Sequence, residues 1–163
     1  MNLKYKIEFL DYWHLSSGLS AGAKLDSSVV KDKNALPYAP AKTIKGLVRE
    51  MVETFSDDIE FLHQCYLTNA TLDEVTKEEI GSNGLQNNLY AVIASTQIGK
   101  NGIAVDNSLR EIEVVIPITL EGEILDIPTD DDRKKLSKSL KMIKRMGLNR
   151  NRGLGRCQIK VVV

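Results

Sequence analysis

The stretch LDSSVVKDKNALPYAPAKTIKGLVR, residues 25–49, decides how the rest of the chain can be arranged. It begins as a loop with one acid, Asp26, and passes a turn that holds Pro37 and Pro40. Apolar residues then recur at positions i, i+3, i+4, i+7, i+8 and i+11: Ile44, Leu47, Val48, Met51, Val52 and Phe55. This spacing predicts a helix over residues 42–55 with one buried face.

The other face of this helix carries three cations. Lys42, Lys45 and Arg49 are spaced i, i+3 and i+7, so they share one polar face near the helix N-terminus, where unpaired N–H groups also attract anions. Gly46 lies among them, although glycine costs about 1 kcal/mol relative to alanine inside a helix. A packing contact would explain this glycine, and so would a nucleotide lying against the helix; we favour the packing contact.

The remaining elements alternate between strands and helices. Residues 3–14 alternate polar and apolar side chains, which predicts a half-buried strand, and residues 89–98 and 112–120 predict two more strands. Residues 131–146 predict a second helix with a basic stripe, and a last strand follows from Cys157. With the first helix, this order predicts an α+β protein with a ferredoxin-like βαββαβ fold, the plan shared by RNA-recognition domains.

Two further segments extend that plan within a single domain over residues 1–163. Residues 56–88 are rich in acids and predict a small helical insertion, in which Thr71 and Glu74 fit a capping box. The connection over residues 98–110 is too long for a tight turn and predicts a projecting hairpin.

Composition restricts the class of protein. Hydrophobic residues make up 42% and charged residues 27%, as in ordinary globular domains. No apolar run reaches the roughly 20 residues needed to span a bilayer, and the N-terminus lacks the apolar block of a signal peptide, so we expect a cytoplasmic protein without membrane contact. Cys65 and Cys157 lie far apart in sequence, which argues against a disulfide framework or a zinc site.

Charge is unevenly distributed along the chain. The net charge is zero, but residues 133–163 hold eleven Lys or Arg and no acid, which leaves eleven bases and all 22 acids in the first 132 residues. Such segregation is typical of a polyanion-binding surface, and it equally fits a basic face that pairs with acidic neighbours.

The segment GLNRNRGLGR, residues 147–156, concentrates three glycines and three arginines. Glycines let backbone N–H groups close on phosphates, and arginines bind phosphates bidentately. Its spacing is not that of a P-loop or a dinucleotide-binding turn. Because only 6% of residues are aromatic, a base-stacking platform is not indicated, and binding to an RNA backbone fits better.

Three stretches resemble the RAMP superfamily of CRISPR-associated proteins, and most of all the repeated backbone subunits of type III effector complexes. LDSSVVKDKNALPYAPAKTIKGLVRE is similar to their acid-bearing loop, proline-rich turn and basic first helix. STQIGKNGIAVDNSLREIEVVIPITLEGEI is similar to their thumb hairpin and the strand after it. GLNRNRGLGRCQIKV resembles their glycine-rich loop. Ala41 and Lys42 depart from the glycine and serine usual in the family, which changes the local phosphate contacts.

The resemblance implies a function and its site residues. Members stack along a guide RNA as a filament with other effector subunits, their thumbs wedge into the guide–target duplex, and a loop aspartate cleaves the target RNA with a divalent metal such as Mg²⁺. Asp26 is at the matching position, and Ile103, Ala104 and Val105 would form the thumb tip. The expected RNA-binding residues, which we expect to form one continuous track, are Lys42, Thr43, Lys45, Arg49, Arg150, Arg152, Gly153, Gly155 and Arg156.

The residues alone leave three alternatives open. Asp26 could hold a metal through water, take the 2′-OH proton, or simply cap a polar turn. His14, at the end of the first strand, could instead be the general base of a precursor-RNA processing enzyme, although a packing role is commoner for such a histidine. A non-catalytic RNA-binding subunit would leave Asp26 idle.

Overall fold

The computed structural model describes residues 1–16 and 27–162. In chain order, the strands and helices are β1 (Leu3–Phe9), α1 (Ala41–Glu53), α2 (Phe61–Gln64), β2 (Tyr66–Leu67), α3 (Glu74–Asn83), β3 (Tyr90–Ser95), β4 (Arg110–Val115), β5 (Thr119–Leu125), α4 (Asp130–Met142) and β6 (Cys157–Val162). A short 3₁₀ turn, Gln86–Leu89, precedes β3. None of the helices in these described ranges has the length and apolarity needed to cross a bilayer.

A four-stranded antiparallel sheet in the order β2-β5-β1-β6 forms the centre of the molecule. The predicted alternation of β1 is confirmed, because Leu3, Tyr5, Ile7 and Phe9 are all buried and the residues between them are more exposed. These side chains share one hydrophobic cluster with the apolar faces of α1 and α4. The two helices therefore cover one face of the sheet, and mixed charged residues such as Lys6 and Glu121 occupy the other face.

A separate two-stranded sheet, β3-β4, stands beside the central one. Trp13 joins the two sheets: its backbone forms a bridge with Val115, its indole N–H donates to the carbonyl of Ile116 at 3.2 Å, and its ring stacks on Phe9 with centroids 4.2 Å apart. Residues 96–109, which we name the hairpin arm, connect β3 to β4.

The prediction of an α+β fold is confirmed, but two predicted strands are placed differently. The strand predicted over residues 112–120 is two strands in different sheets, since β4 ends at Val115 and β5 begins at Thr119. Pro117 lies between them and has no N–H for a ladder hydrogen bond. The residues predicted as the second strand of the central sheet form β3 instead, and the corresponding central strand is the two-residue β2.

The acidic segment 56–88 is also less helical than predicted. It contains the four-residue α2, the edge strand β2 and the ten-residue α3. The predicted capping box is wrong: the N-cap of α3 is Asp73, whose carboxylate accepts from the backbone N–H of Thr76 at 3.0 Å. Asp73 caps the helix in place of Thr71 because it stands immediately before the first helical residue.

Candidate nucleic-acid interface

The basic face of α1 lines a groove of about 230 Å³. Lys42, Lys45 and Arg49 supply its cations, and Gly46 lies among them. The opposite wall comes from the segment around α2 and contributes Ile59, Leu62 and His63. The structure thus brings together the three cations that the helical spacing predicted, and it adds an apolar wall that the sequence did not reveal.

The three cations differ in their availability. Lys42 is exposed, and its side chain has no hydrogen-bond or ion-pair partner among the described residues. The ammonium group of Lys45 donates to the carbonyl of Cys65 at 3.3 Å. Arg49 pairs with Glu53 at 3.0 Å, and both side chains are about half exposed, so this pair is worth little and opens readily. The groove therefore holds one free cation and two that are engaged in contacts with the chain.

Gly46 is not explained by packing. Apart from its chain neighbours and the backbone of its own helix, no heavy atom of the described residues lies within 4 Å of the position that a Cβ would take there, so the packing contact favoured from the sequence is absent from this part of the molecule. The residue is exposed on the groove. The remaining explanation, a ligand that approaches the helix backbone closely, is compatible with this open surface.

The backbone N–H groups at the N-terminus of α1 are partly hydrogen-bonded by a residue outside the helix. Pro40 is the N-cap and provides no side-chain cap, but the N–H of Ala41 donates to Oδ1 of Asn69 at 2.9 Å. Thr43 is half buried in the first turn. Asn69 lies 28 residues further along the chain, so no local sequence pattern could have identified its contact with this helix end.

The other flank of α1 faces the C-terminal basic segment. Leu47, Glu50 and Met51 line a second groove, of about 280 Å³, with the end of α4 and the loop after it. Arg145 and Arg150 lie in this groove. The helix α1 therefore stands between the two grooves. A strand that contacts both groups of cations must cross the exposed surface of α1 near Gly46.

Two of the predicted RNA-binding residues in the glycine-rich loop have structural contacts instead. Gly155 is buried at φ +74°, its N–H donates to the carbonyl of Tyr12 at 2.8 Å, and a Cβ there would collide with the carbonyl oxygen of Met146. Arg156 forms an ion pair with Asp11 at 3.0 Å. Gly153, at φ +91°, has open space where a Cβ would lie, so it remains accessible to a ligand.

Arg152 lies away from both grooves of α1. It lines a third groove together with residues at the base of the hairpin arm, among them Arg110. Ile103, Ala104 and Val105 are exposed at the end of that arm, as expected for a projecting hairpin.

His14 is fully buried, and both of its ring nitrogens are engaged. Nδ1 lies 2.5 Å from the carbonyl oxygen of Glu113, and Nε2 lies 3.1 Å from the hydroxyl of Ser27. A histidine enclosed in this way supports packing and is not presented to a substrate. The geometry therefore agrees with the packing interpretation and argues against a general base at this position.

Asp26 itself lies outside the described residues, but Ser16 and Ser27, which flank residues 17–26, are described. Ser16 forms a backbone bridge with Val29, and Ser27, the residue after Asp26, forms a parallel bridge with Ile112 of β4. The carbonyl of Ser27 also accepts from the N–H of Glu113 at 3.1 Å. The backbone of Ser27 therefore lies along β4 of the two-stranded sheet.

The chemistry available for a metal ion is limited in the described part of the chain. Within residues 1–16 and 27–162, no group of three or more His, Cys, Asp or Glu side chains could hold an ion. Cys65 and Cys157 are free thiols, and burial raises the pKa of Cys157 to about 11, so that thiol stays protonated. These residues do not fit a cage made of protein ligands alone.

The protein thus has an α+β fold with helices on one face of the central sheet, a two-stranded sheet extended by the hairpin arm, and a basic surface on α1. Its fold is similar to that of a chain in a cryo-EM structure of the type III-B Cmr-beta complex bound to cognate target RNA, with 10% sequence identity, a TM-score of 0.74, and coverage of 99% of this chain and 97% of that one. A chain in the apo state of Cmr-beta matches with 11% identity and the same coverage and TM-score.

These matches establish the fold over 99% of the chain. No protein-family model matches the sequence, and comparison with curated proteins gives no match.

Proposed function

We propose that this protein is a backbone subunit of a type III CRISPR effector complex, which binds guide RNA within a filament and cleaves target RNA through Asp26. The observation that carries the proposal is the structural match along the whole chain to Cmr-beta subunits, one of them in a complex with target RNA. The central sheet supports it, because the order β2-β5-β1-β6, with α1 between β1 and β2 and α4 between β5 and β6, is the order of a ferredoxin-like fold.

RNA binding is assigned to the basic surface of α1 and to the exposed part of the glycine-rich loop. The strand enters along Lys42, Lys45 and Arg49, crosses α1 at Gly46, and continues towards Arg150 on the other flank. Gly46 supports this path because the absence of a side chain lets a phosphate or ribose lie against the helix backbone. The mostly phosphate-directed contacts give affinity without base specificity, as a guide-binding subunit requires.

Cleavage is assigned to Asp26, the residue before Ser27. In RNA the 2′-OH attacks the adjacent phosphorus in line with the leaving 5′ oxygen, giving a 2′,3′-cyclic phosphate and a 5′-OH end. The carboxylate of Asp26 would accept the 2′-OH proton or orient a divalent ion that neutralises the phosphate. With one protein carboxylate, such an ion would need water and RNA oxygens to complete its coordination.

The competing proposal of precursor-RNA processing by His14 is not supported. The ring is fully buried and held by Ser27 and Glu113, so neither nitrogen can reach a 2′-OH without displacing a partner.

The test is a cleavage assay on protein reconstituted with guide RNA and a labelled complementary target. We expect Asp26→Asn to lower the cleavage rate by roughly 10²-fold or more, the contribution of a positioned general base, while RNA affinity stays within a factor of two. Asp32→Asn is the matched control: Asp32 accepts from the backbone N–H groups of Asn34 and Leu36 in a tight turn, and asparagine keeps an acceptor there.

The outcomes separate the possibilities. Undiminished cleavage by Asp26→Asn would remove the catalytic assignment. RNA binding without cleavage by the unaltered protein would support a non-catalytic subunit, and failure of the unaltered protein to bind RNA would overturn the function as a whole.

A further inference from the structure

Two arginines from distant parts of the chain line one groove at the base of the hairpin arm. Arg110 is the first residue of β4, and Arg152 belongs to the glycine-rich loop. The groove has a volume of about 510 Å³, which is within the range of small-molecule sites. Most of its other residues carry hydroxyl or amide groups, such as Ser95, Thr96 and Asn107, and Asp106 is the one acid that lines it.

Neither arginine has a side-chain hydrogen bond or an ion pair within the described ranges. This distinguishes them from Arg49, Arg145 and Arg156, which bind Glu53, the carbonyl of Arg150 and Asp11. Two cations that share a groove repel each other, and an anion between them relieves that repulsion. Asp106 offsets one of the two charges, so the described lining of the groove keeps a net positive charge that favours a negatively charged group.

The backbone around both arginines is well defined by hydrogen bonds. At the base of the arm, the hydroxyl of Ser108 donates to the carbonyl of Val105 at 2.6 Å and accepts from the N–H of Gln97 at 3.0 Å. In the glycine-rich loop, the N–H of Arg152 donates to the carbonyl of Asn149 at 2.8 Å. The next residue, Gly153, leaves open space beside the chain. Arg110 thus begins a strand next to a hydrogen-bonded turn, and Arg152 lies within one, so less backbone freedom is lost when they bind.

We propose that Arg110 and Arg152 together bind one backbone phosphate of single-stranded RNA, with the ribose lying against the hydroxyl and amide side chains of the groove. The proposal rests on the RNA-binding function proposed above and adds a site outside α1. Guanidinium groups bind phosphate oxygens bidentately, and two of them can share the oxygens of one phosphate. Because one arginine comes from the arm and the other from the loop, a bound phosphate ties the hairpin arm to the glycine-rich loop.

The test is the affinity of the full chain for a fluorescently labelled single-stranded RNA, measured by anisotropy over a series of salt concentrations. Arg110→Ala and Arg152→Ala should each weaken binding roughly tenfold at low salt, since each removes charge-assisted hydrogen bonds. Each should also reduce the slope of log affinity against log salt by about 0.7, the value for one phosphate contact on a single strand. The double variant should bind almost as well as either single variant, because both residues hold the same phosphate.

Arg133→Ala is the matched control. Arg133 also has no side-chain hydrogen bond or ion pair within the described residues, but it lies on α4 in a different groove, with Leu3 and Val161. It should leave the affinity unchanged, and thermal unfolding of all the variants should match that of the unaltered protein because these side chains form no stabilising contacts.

Four results would contradict this site. Equal weakening by Arg133→Ala would indicate a general effect of net charge. If the fold-loss of affinity in the double variant equals the product of the losses in the two single variants, the arginines make two separate contacts. If Arg110→Ala and Arg152→Ala each bind RNA normally while the double variant Lys42→Ala/Lys45→Ala loses affinity, the proposed site is wrong and the RNA-binding function stands. If the unaltered protein does not bind RNA, the proposed function fails together with the site.

Discussion

The imidazole of His14 and the hydroxyl of Ser27 are joined by a hydrogen bond of 3.1 Å between Nε2 and Oγ. The other ring nitrogen lies 2.5 Å from the carbonyl oxygen of Glu113 in β4. The carbonyl of His14 accepts from the N–H of Leu148 at 2.9 Å, and Gly147 packs so closely against it that a Cβ would collide. The buried residue His14 therefore holds together three parts of the chain: the segment that begins at Ser27, strand β4 and the start of the glycine-rich loop.

We expect His14→Ala to lower the free energy of unfolding by about 3 kcal/mol, since it leaves a buried acceptor and a hydroxyl without their partner and opens a cavity. Ser27→Ala removes one partner and should cost about 1 kcal/mol. Urea denaturation measures both values. If target cleavage depends on Asp26, Ser27→Ala should lower the cleavage rate more than the RNA affinity. His14→Ala with unchanged stability would show that these hydrogen bonds do not hold the three segments.

Replacement of Gly46 separates helix stability from ligand contact. Gly46→Ala meets no neighbouring atom, so it should raise the free energy of unfolding by about 0.5–1 kcal/mol through helix propensity alone. The same methyl group stands where we expect RNA to cross α1, so RNA affinity should fall severalfold. Gly81→Ala in α3 is the control, because Gly81 is also exposed with open space at its Cβ position. It should stabilise the protein similarly and leave RNA affinity unchanged; equal affinity for both variants would rule out close approach at Gly46.

The glycines of the C-terminal loop should respond differently to the same substitution. Gly155→Ala combines a left-handed backbone with a collision against Met146, and it should cost about 3 kcal/mol or more of stability. Gly153→Ala carries only the backbone penalty, about 1 kcal/mol, because its surroundings are open. Thermal or urea unfolding distinguishes them. Equal losses would mean that the packing at Gly155 contributes nothing beyond its φ angle.

The sequence was sufficient to predict a helix or strand where one hydrophobic periodicity persisted over several helical turns or a whole strand. The spacing from Ile44 to Val52 places α1 within two residues of its bounds, and the alternation from Leu3 to Phe9 identifies β1 and its buried face. The three cations of α1 share a groove for the same reason: helical spacing alone determines which side chains lie on one face.

Periodicity failed where neighbouring elements share it or where an element is too short to show it. Apolar residues alternate without interruption from Ile112 to Leu120, so the division between β4 and β5 at Pro117 was not visible. The two residues of β2 have no period at all, and only their pairing with β5 defines them. The relative position of α1 and the glycine-rich loop is a tertiary property, so the sequence could not predict that their cations lie on the two flanks of α1.

The exposed apolar residues of the hairpin arm give the last prediction. Ile103 is 65% exposed, and Ile98, Val105 and Leu109 are exposed beside it, a cluster that contributes little to folding. Ile103→Ser should therefore change the free energy of unfolding by no more than about 0.5 kcal/mol. If the arm docks on an RNA duplex or on a neighbouring subunit, the substitution should reduce the size of RNA-bound assemblies in sedimentation velocity. Val75→Ser is the matched control, since Val75 is 66% exposed on α3, outside the arm. Assemblies of unchanged size with Ile103→Ser, or an equal loss with Val75→Ser, would show that the arm has no specific role in assembly.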